Sequence, residues 1–322
     1  METCDVALNI FAKPYQTALS VLSLLANCRD VIGTIWLQFE PAGSRFDSTS
    51  PYAIAYYLKD VLKLPCIVFQ PKIWFDCAVA EYAKLSSDQD YRLGLRFEYA
   101  LEHCQSRLLF LMHNDVLIQK NLLAAMISAM GDAFAIGPLG QCWNCPASSQ
   151  TLMQEVLGRP ACRPERYTET NLSFTELSAL YKASDRRLSF KRSYSDGLTS
   201  FFADQPWPLP ECRINEWACL IDLKKSRPLT LPEGAALPVG AYQQCGSHTL
   251  DIGVAWFRAM HAHGLKARHF ATQGWLQHWV GTGHKSQLRY LQAEEHAKRL
   301  LQRFFPNYLC WLEQEKKALA NR

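Results

Sequence analysis

The sequence predicts an α/β protein with a mostly parallel sheet flanked by helices on both faces. Three observations carry this expectation. Short apolar runs alternate with helix-spaced segments across the first 140 residues, the pattern of βα units that build a parallel sheet. The run over residues 31–39 is rich in β-branched and aromatic residues, as strands are. In the stretch that opens at Arg107, the run from Leu108 through Met112 is apolar and ends abruptly in His113-Asn114-Asp115. A buried strand ending so would deliver polar groups to its C-terminal end, where open α/β sheets bind ligands. The plainer reading of the same residues is a buried strand with an ordinary Asn-Asp turn.

In chain order, 6–11 reads as a strand broken by Lys13-Pro14, and 17–26 as a helix with Leu19, Leu22 and Leu25 on one face. Strands follow at 31–39 and 66–69, separated by a helix over 52–62. A helix over 93–103 leads into the 107–116 stretch; a helix over 121–130 and a strand over 133–136 close this half. From 140 to 210 prolines punctuate the chain, with helices expected only near 150–157 and 174–182. Strand character returns over 216–223, a helix closed by Gly264 is expected over 249–264, and a last strand over 266–270. The expected division is a nucleotide-binding α/β half (1–140), an irregular cysteine-containing insertion facing the acceptor (141–210), an acceptor-side half (211–285) and a helical tail (286–322).

Composition sets outer bounds. With 48% hydrophobic and 20% charged residues, the chain is an ordinary globular protein able to bury a large core. A formal charge of +4 permits an anionic substrate and does not by itself argue for nucleic acid. No basic and apolar leader opens the sequence, and no run approaches the roughly 18 apolar residues of a membrane span. The expectation is a cytoplasmic protein whose twelve cysteines are thiols or metal ligands. The tail is amphipathic and basic; such a segment packs on its own domain or rests at a membrane surface.

The order of motifs resembles the GT-A glycosyltransferases, family 2 in particular, over about 5–140 and 211–285. Asn9-Ile10-Phe11-Ala12-Lys13-Pro14 is similar to the family's first nucleotide-contacting loop, and Glu40 to the acidic residue that touches base or ribose. Arg92 to Ala100 falls where the family places a helix near the diphosphate. His113-Asn114-Asp115 stands in place of the family's Asp-X-Asp, with His for the first Asp. The resemblance implies a nucleotide-sugar donor, a UDP-sugar first among them, a divalent cation (Mn2+ or Mg2+), inversion at the anomeric carbon, and a role in polysaccharide biosynthesis. The implied acceptor is a glycan or lipid-linked glycan, with a DNA base as a more distant case. It makes Asp115 the metal ligand, with His278 from the late Gln277 to His284 loop. Asp251 in Leu250-Asp251-Ile252-Gly253 becomes the general base, with Glu216 as runner-up. Asn9, Phe11, Lys13, Glu40, Arg92, Arg96, His113, Asn114 and His284 are then donor contacts.

Each residue also has a plainer reading. Asp251 can cap its helix, Glu216 can face solvent from its strand, His278 can pack between Trp275 and Trp279, and Arg92 with Arg96 can form a solvated face. Cys142 and Cys145 form a Cys-X-X-Cys pair; with Cys162 and Cys212 they suit a structural zinc, Cys245 and His248 being substitutes, against buried free thiols. Two other classes compete with the transferase. One is a non-catalytic binding module on the same sheet. The other is a nucleic-acid-directed protein using Arg186, Arg187, Lys191 and Arg192 with Phe190, Tyr194, Phe201 and Phe202. No Walker or dinucleotide glycine loop and no Gly-X-Ser-X-Gly is present.

Overall fold

The computed structural model describes residues 2–40, 50–75, 77–142, 145–185, 205–245, 248–278 and 286–320. Strand β1 (Cys4–Ile10) pairs in parallel with β2 (Ile32–Phe39) and β4 (Leu108–His113), and β2 with β3 (Cys66–Phe69). The short strand β5 (Val116–Ile118) follows β4, and β6 (Ala135–Gly137) and β7 (Ala218–Asp222) extend the sheet. After the hairpin of β8 (Gln243–Cys245) and β9 (His248–Leu250), β10 (Ala267–His269) joins the edge beside β6. Sheet order is β10-β6-β7-β4-β1-β2-β3, and β7 alone of the seven runs against the others. A second two-stranded sheet pairs β5 with β11 (Leu276–His278). The sheet is therefore mostly parallel with helices on both faces, as the alternation predicts.

Burial explains the order. Every residue of β1 is buried, and β4 is buried up to its last residue. Leu108, Phe110 and Met112 enter one apolar layer, and Leu109 and Leu111 the opposite one. Each is within 1% of complete burial, worth about 1.5–3 kcal/mol per side chain, so β4 cannot slip without losing both layers. The first layer is roofed by helix α1 (Pro14–Cys28), by α3 (Leu122–Met130) and by the terminal helices α7 (Gln287–Phe304) and α8 (Pro306–Ala320). The second is roofed by α4 (Gln150–Leu157), α5 (Phe174–Asp185) and α6 (Val254–Ala262). Described residues of the proline-rich 141–210 stretch, among them Leu152, Leu177 and Leu209, join the same core as β4 and β7.

Two local expectations are corrected. The helix expected over 93–103 is confined to α2 (Glu98–His103), because Phe97 turns left-handed at φ 64° and a Cβ on Gly94 would meet the Ile73 carbonyl at 2.6 Å. The helix expected over 249–264 begins only at Val254 behind Gly253 at φ 77°, because 248–250 are taken by β9. Asp251 therefore does not cap it. The tail packs through Tyr290, Ala297, Leu301, Tyr308 and Leu312 and leaves Leu288, Leu291 and Phe304 exposed. Among the described residues no helix is long and apolar enough to cross a membrane.

Candidate active site

Strand ends bring the candidate residues together. His113 is the last residue of β4 and lies in register with Asn9 on β1. Because β7 is antiparallel to β4, its beginning lies beside the end of β4: the His113 N–H donates to the Trp217 carbonyl at 3.2 Å, and Glu216 sits at the same edge. The β5–β11 pair sets His278 opposite Val116, one residue past Asp115. Three chain segments remote in sequence thus converge on one point. The ligand atoms of His113, Asp115 and His278 all lie within 4.8 Å of one another.

The turn after β4 is held from α1. Asn114 Nδ2 donates to Thr17 Oγ1 at 2.9 Å and toward the Ala12 carbonyl at 3.3 Å. Ser20 and Ser23 accept from the Val116 and Ile118 N–H groups, satisfying the outer edge of β5. The loop before α1 is strained, with Ala12 and Lys13 both left-handed at φ 52° and 55°, a conformation that non-glycine residues hold only when surroundings impose it. Here α7 imposes it: Tyr290 Oη accepts the Lys13 N–H at 2.8 Å, and the Glu294 carboxylate accepts the N–H groups of Tyr15 and Gln16 at 2.9 and 3.1 Å.

That loop places Lys13 Nζ 2.7 Å from Asp115 Oδ2 with both side chains nearly buried. His278 Nε2 lies 3.3 Å from Asp115 Oδ1, yet Oδ1 is buried and accepts no hydrogen bond. Burial alone would raise the Asp115 carboxyl; His278, Lys13 and His113 outweigh it and hold it well below the usual carboxylate range. The His278 ring stacks on Trp217 at 4.7 Å and meets His113 edge-on at 5.5 Å. Two imidazoles and a carboxylate oxygen without a hydrogen bond fit a divalent transition metal, and fit Mn2+ better than Mg2+, which takes oxygen ligands.

A second charged chain adjoins the first. His113 Nε2 lies 3.5 Å from Glu216 Oε1, Glu216 Oε2 lies 2.5 Å from Arg213 Nη1, and Arg213 Nη2 lies 2.9 Å from Asp251 Oδ2. Burial opposes charge on Glu216, but Arg213 and His113 hold its carboxyl below the ordinary range. Burial likewise opposes the Arg213 guanidinium, which Glu216 and Asp251 keep charged. The Asp251 side chain is 31% exposed and that of Glu216 only 8%. On the β1–β2 side, Asn9 Nδ2 donates to Glu40 Oε1 at 2.5 Å, and Arg96 Nε lies 3.5 Å from the same oxygen, with its guanidinium over Trp74.

The structure thus gathers Asn9, Lys13, Glu40, Arg96, His113, Asn114, Asp115, Glu216, Asp251 and His278 along the C-terminal edge of the sheet, with the Phe11 carbonyl 3.5 Å from Asn114 Nδ2. It does not bring Arg92 there: that guanidinium is spent on Glu102 at 2.5 and 3.2 Å and on the Leu85 carbonyl at 2.7 Å. His284, the His248 side chain and the 186–204 basic-aromatic cluster lie outside the described residues. Sequence reasoning missed Arg213, although its spacing of three from Glu216 was a signal. It also missed Trp217, Tyr290 and Glu294, for which no local signal exists.

No protein-family model matches this chain, and no curated protein matches it. Solved structures with a similar course include glycosyltransferases. A mannosyltransferase from Pyrobaculum calidifontis, solved with GDP-Man and Mn2+, is 11% identical, with 99% of this chain and 75% of that one covered at a TM-score of 0.42. Mouse xyloside xylosyltransferase 1 in its apo form is 12% identical, over 84% of this chain and 86% of that one, at 0.40. Core-mannan synthase A from Aspergillus fumigatus, with Mn and GDP, is 10% identical over 70% and 61% at 0.34. At these scores the likeness carries no argument, and the reading below stands on the site.

Proposed function

We propose that this chain is a metal-assisted glycosyltransferase that moves a sugar from a nucleotide-sugar donor to an acceptor hydroxyl. The observation that carries the reading is the convergence of His113, Asp115 and His278 at the sheet's C-terminal edge, beside a carboxylate chain that reaches solvent. In this reading those three residues hold a divalent cation, which takes up charge developing on a leaving diphosphate. Lys13 and Arg96 face the donor phosphates, and Glu40 acts by holding Arg96 and Asn9. A general base must reach its proton. Asp251 is the more exposed carboxylate, so it serves as base; buried Glu216 orients His113 and Arg213.

The test is calorimetric titration of nucleoside diphosphates and nucleotide sugars, with and without Mn2+, followed by product analysis with hydroxyl acceptors. Mn2+-dependent binding of one nucleotide sugar, and sugar release or transfer, are expected. Absence of both for every donor would overturn the reading. Asp251→Asn is expected to bind donor and lose transfer; undiminished transfer would reassign the base. The Lys13–Asp115 ion pair favours a second reading, a metal-free binding module, which donor binding that is indifferent to Mn2+ and never turns over would establish.

A further inference from the structure

Four cysteines from three separate segments meet at a place that shares no side chain with the charged site described above. Cys142 and Cys145 follow β6, Cys162 follows α4, and Cys212 precedes β7; all four line one cavity of about 10 Å³ with Gly140, Ser148, Pro164 and Glu211. Cys145, Cys162 and Cys212 are at most 7% exposed, and Cys142 is half-buried. Ordinary core thiols have no reason to gather from 70 residues of irregular chain. These segments are tied so that the sulfurs face inward. Gln141 N–H donates to the Glu211 carbonyl at 2.7 Å, Cys162 N–H to the Ala147 carbonyl at 2.8 Å, and Cys145 N–H to the Cys142 carbonyl at 3.3 Å. Ser148 Oγ pins the Cys142–Cys145 turn through both of its carbonyls. Gly140 is left-handed at φ 81°, and a Cβ there would stand 3.0 Å from Cys142 Sγ, so glycine leaves the sulfur its place.

Cys162, beside Cys212 and Thr170, is held below the ordinary thiol range, whereas burial pushes Cys142 and Cys145 up and the neighbouring Cys162 together with burial pushes Cys212 up, so uncharged thiols fill the place until a cation compensates. We propose that Cys142, Cys145, Cys162 and Cys212 form a closed structural zinc site that fastens the irregular stretch to the sheet. Four thiolates match a tetrahedral Zn2+ with Zn–S of about 2.3 Å and no open position for substrate. Binding releases one proton from each thiol that becomes a thiolate, with no change of oxidation state. Among the described residues no three of these sulfurs lie within 4.8 Å of one another, so binding draws them closer together. The consequence reaches the proposed active site through the backbone, because Cys212 is joined directly to Arg213, which holds Glu216 and Asp251.

The experiment is elemental analysis of the full chain purified without chelator, with Cys145→Ser, Cys162→Ser, His278→Ala and Cys219→Ser alongside. About one zinc per chain is expected, the stoichiometry of one tetrahedral site, retained in His278→Ala and Cys219→Ser and lost in Cys145→Ser and Cys162→Ser. Cobalt added to chelated protein is expected to show thiolate-to-metal charge-transfer absorption. Should the serine variants fail to fold, that cobalt spectrum on the unsubstituted chain decides alone. Zinc that disappears only in His278→Ala would overturn the proposal, since the metal would then be in the active site. Protein without zinc and without a cobalt–thiolate band would overturn it as well, and would leave the transferase reading untouched.

Discussion

Asp115→Asn tests the core of the site through stability alone. The substitution keeps shape and removes charge, stranding the Lys13 ammonium that now sits 2.7 Å from Oδ2 with 10% of its side chain exposed. Removing one partner of a buried pair costs about 3–5 kcal/mol, whereas replacing both by uncharged groups is often near neutral. With an unfolding entropy of about 2.1 cal/mol/K per residue, that loss lowers Tm by about 4–7 °C for a 322-residue chain. The double variant Lys13→Met/Asp115→Asn is expected to recover most of it. Calorimetric melts of all four forms measure the coupling directly. The same melts with Mn2+ at about a hundred times its Kd should raise Tm of the unsubstituted chain by about 4 °C, from about 2.7 kcal/mol of linkage, and should not raise that of Asp115→Asn. A stable Asp115→Asn, or losses that simply add in the double variant, would refute the buried pair.

Arg213→Met should destabilise by about 3–5 kcal/mol, because it takes from buried, charged Glu216 its closest ion-pair partner, at 2.5 Å. Since burial then raises the Glu216 carboxyl, the deficit should shrink as pH falls from 7 to 5; a deficit that grows would mean Arg213 does something else. In the unsubstituted chain, Asp115 and Glu216 are both held below the ordinary carboxylate range. Their stabilisation is therefore complete above the unfolded value of about 4 and is lost as pH falls below it, which acid titration of Tm will register. Glu294→Ala removes the acceptor for two N–H groups at the start of α1, worth about 1–3 kcal/mol if both are left unsatisfied. Hydrogen exchange should then speed up over residues 13–17 and Mn2+ affinity should fall; unchanged exchange would show that α7 does not hold the Lys13 loop.

Much of the scaffold was legible because burial has a periodic signature. The apolar runs that became β1, β2 and β4 could only be core strands, and His113-Asn114-Asp115 marked where β4 leaves the core. The direction of β7 was not legible, since a five-residue apolar strand reads the same both ways, yet that direction alone brings Glu216 to His113. Arg92 shows the opposite failure. A basic residue four before Arg96 looks like a phosphate contact, but nothing local reveals that Glu102 has claimed it. Asp251 reads as a general base or, more plainly, as a helix cap; the cap reading falls because β9 takes the preceding residues and Gly253 opens the helix, and nothing local shows that Arg213 takes the carboxylate. Residues whose roles depend on partners across the sheet carry no pattern of their own.

The charges at the site also dictate an order of binding. Lys13, Arg96 and Arg213 stand against Glu40, Asp115, Glu216 and Asp251, so these seven side chains carry one net negative charge. A diphosphate arriving alone meets a repulsive balance. A divalent cation on His113, Asp115 and His278 reverses the sign, and the same ligand is then attracted. Each unit charge about 6 Å away is worth on the order of 3 kcal/mol at an effective dielectric of about 20, or about a hundredfold in affinity. Titrating a nucleoside diphosphate into metal-free protein should therefore give binding at least a hundredfold weaker than with Mn2+ present, and Lys13→Met should weaken the Mn2+-supported binding further. Equal affinity in the two titrations would mean that Lys13 and Arg96 suffice as counterions, and that Asp115 serves to hold Lys13 in place.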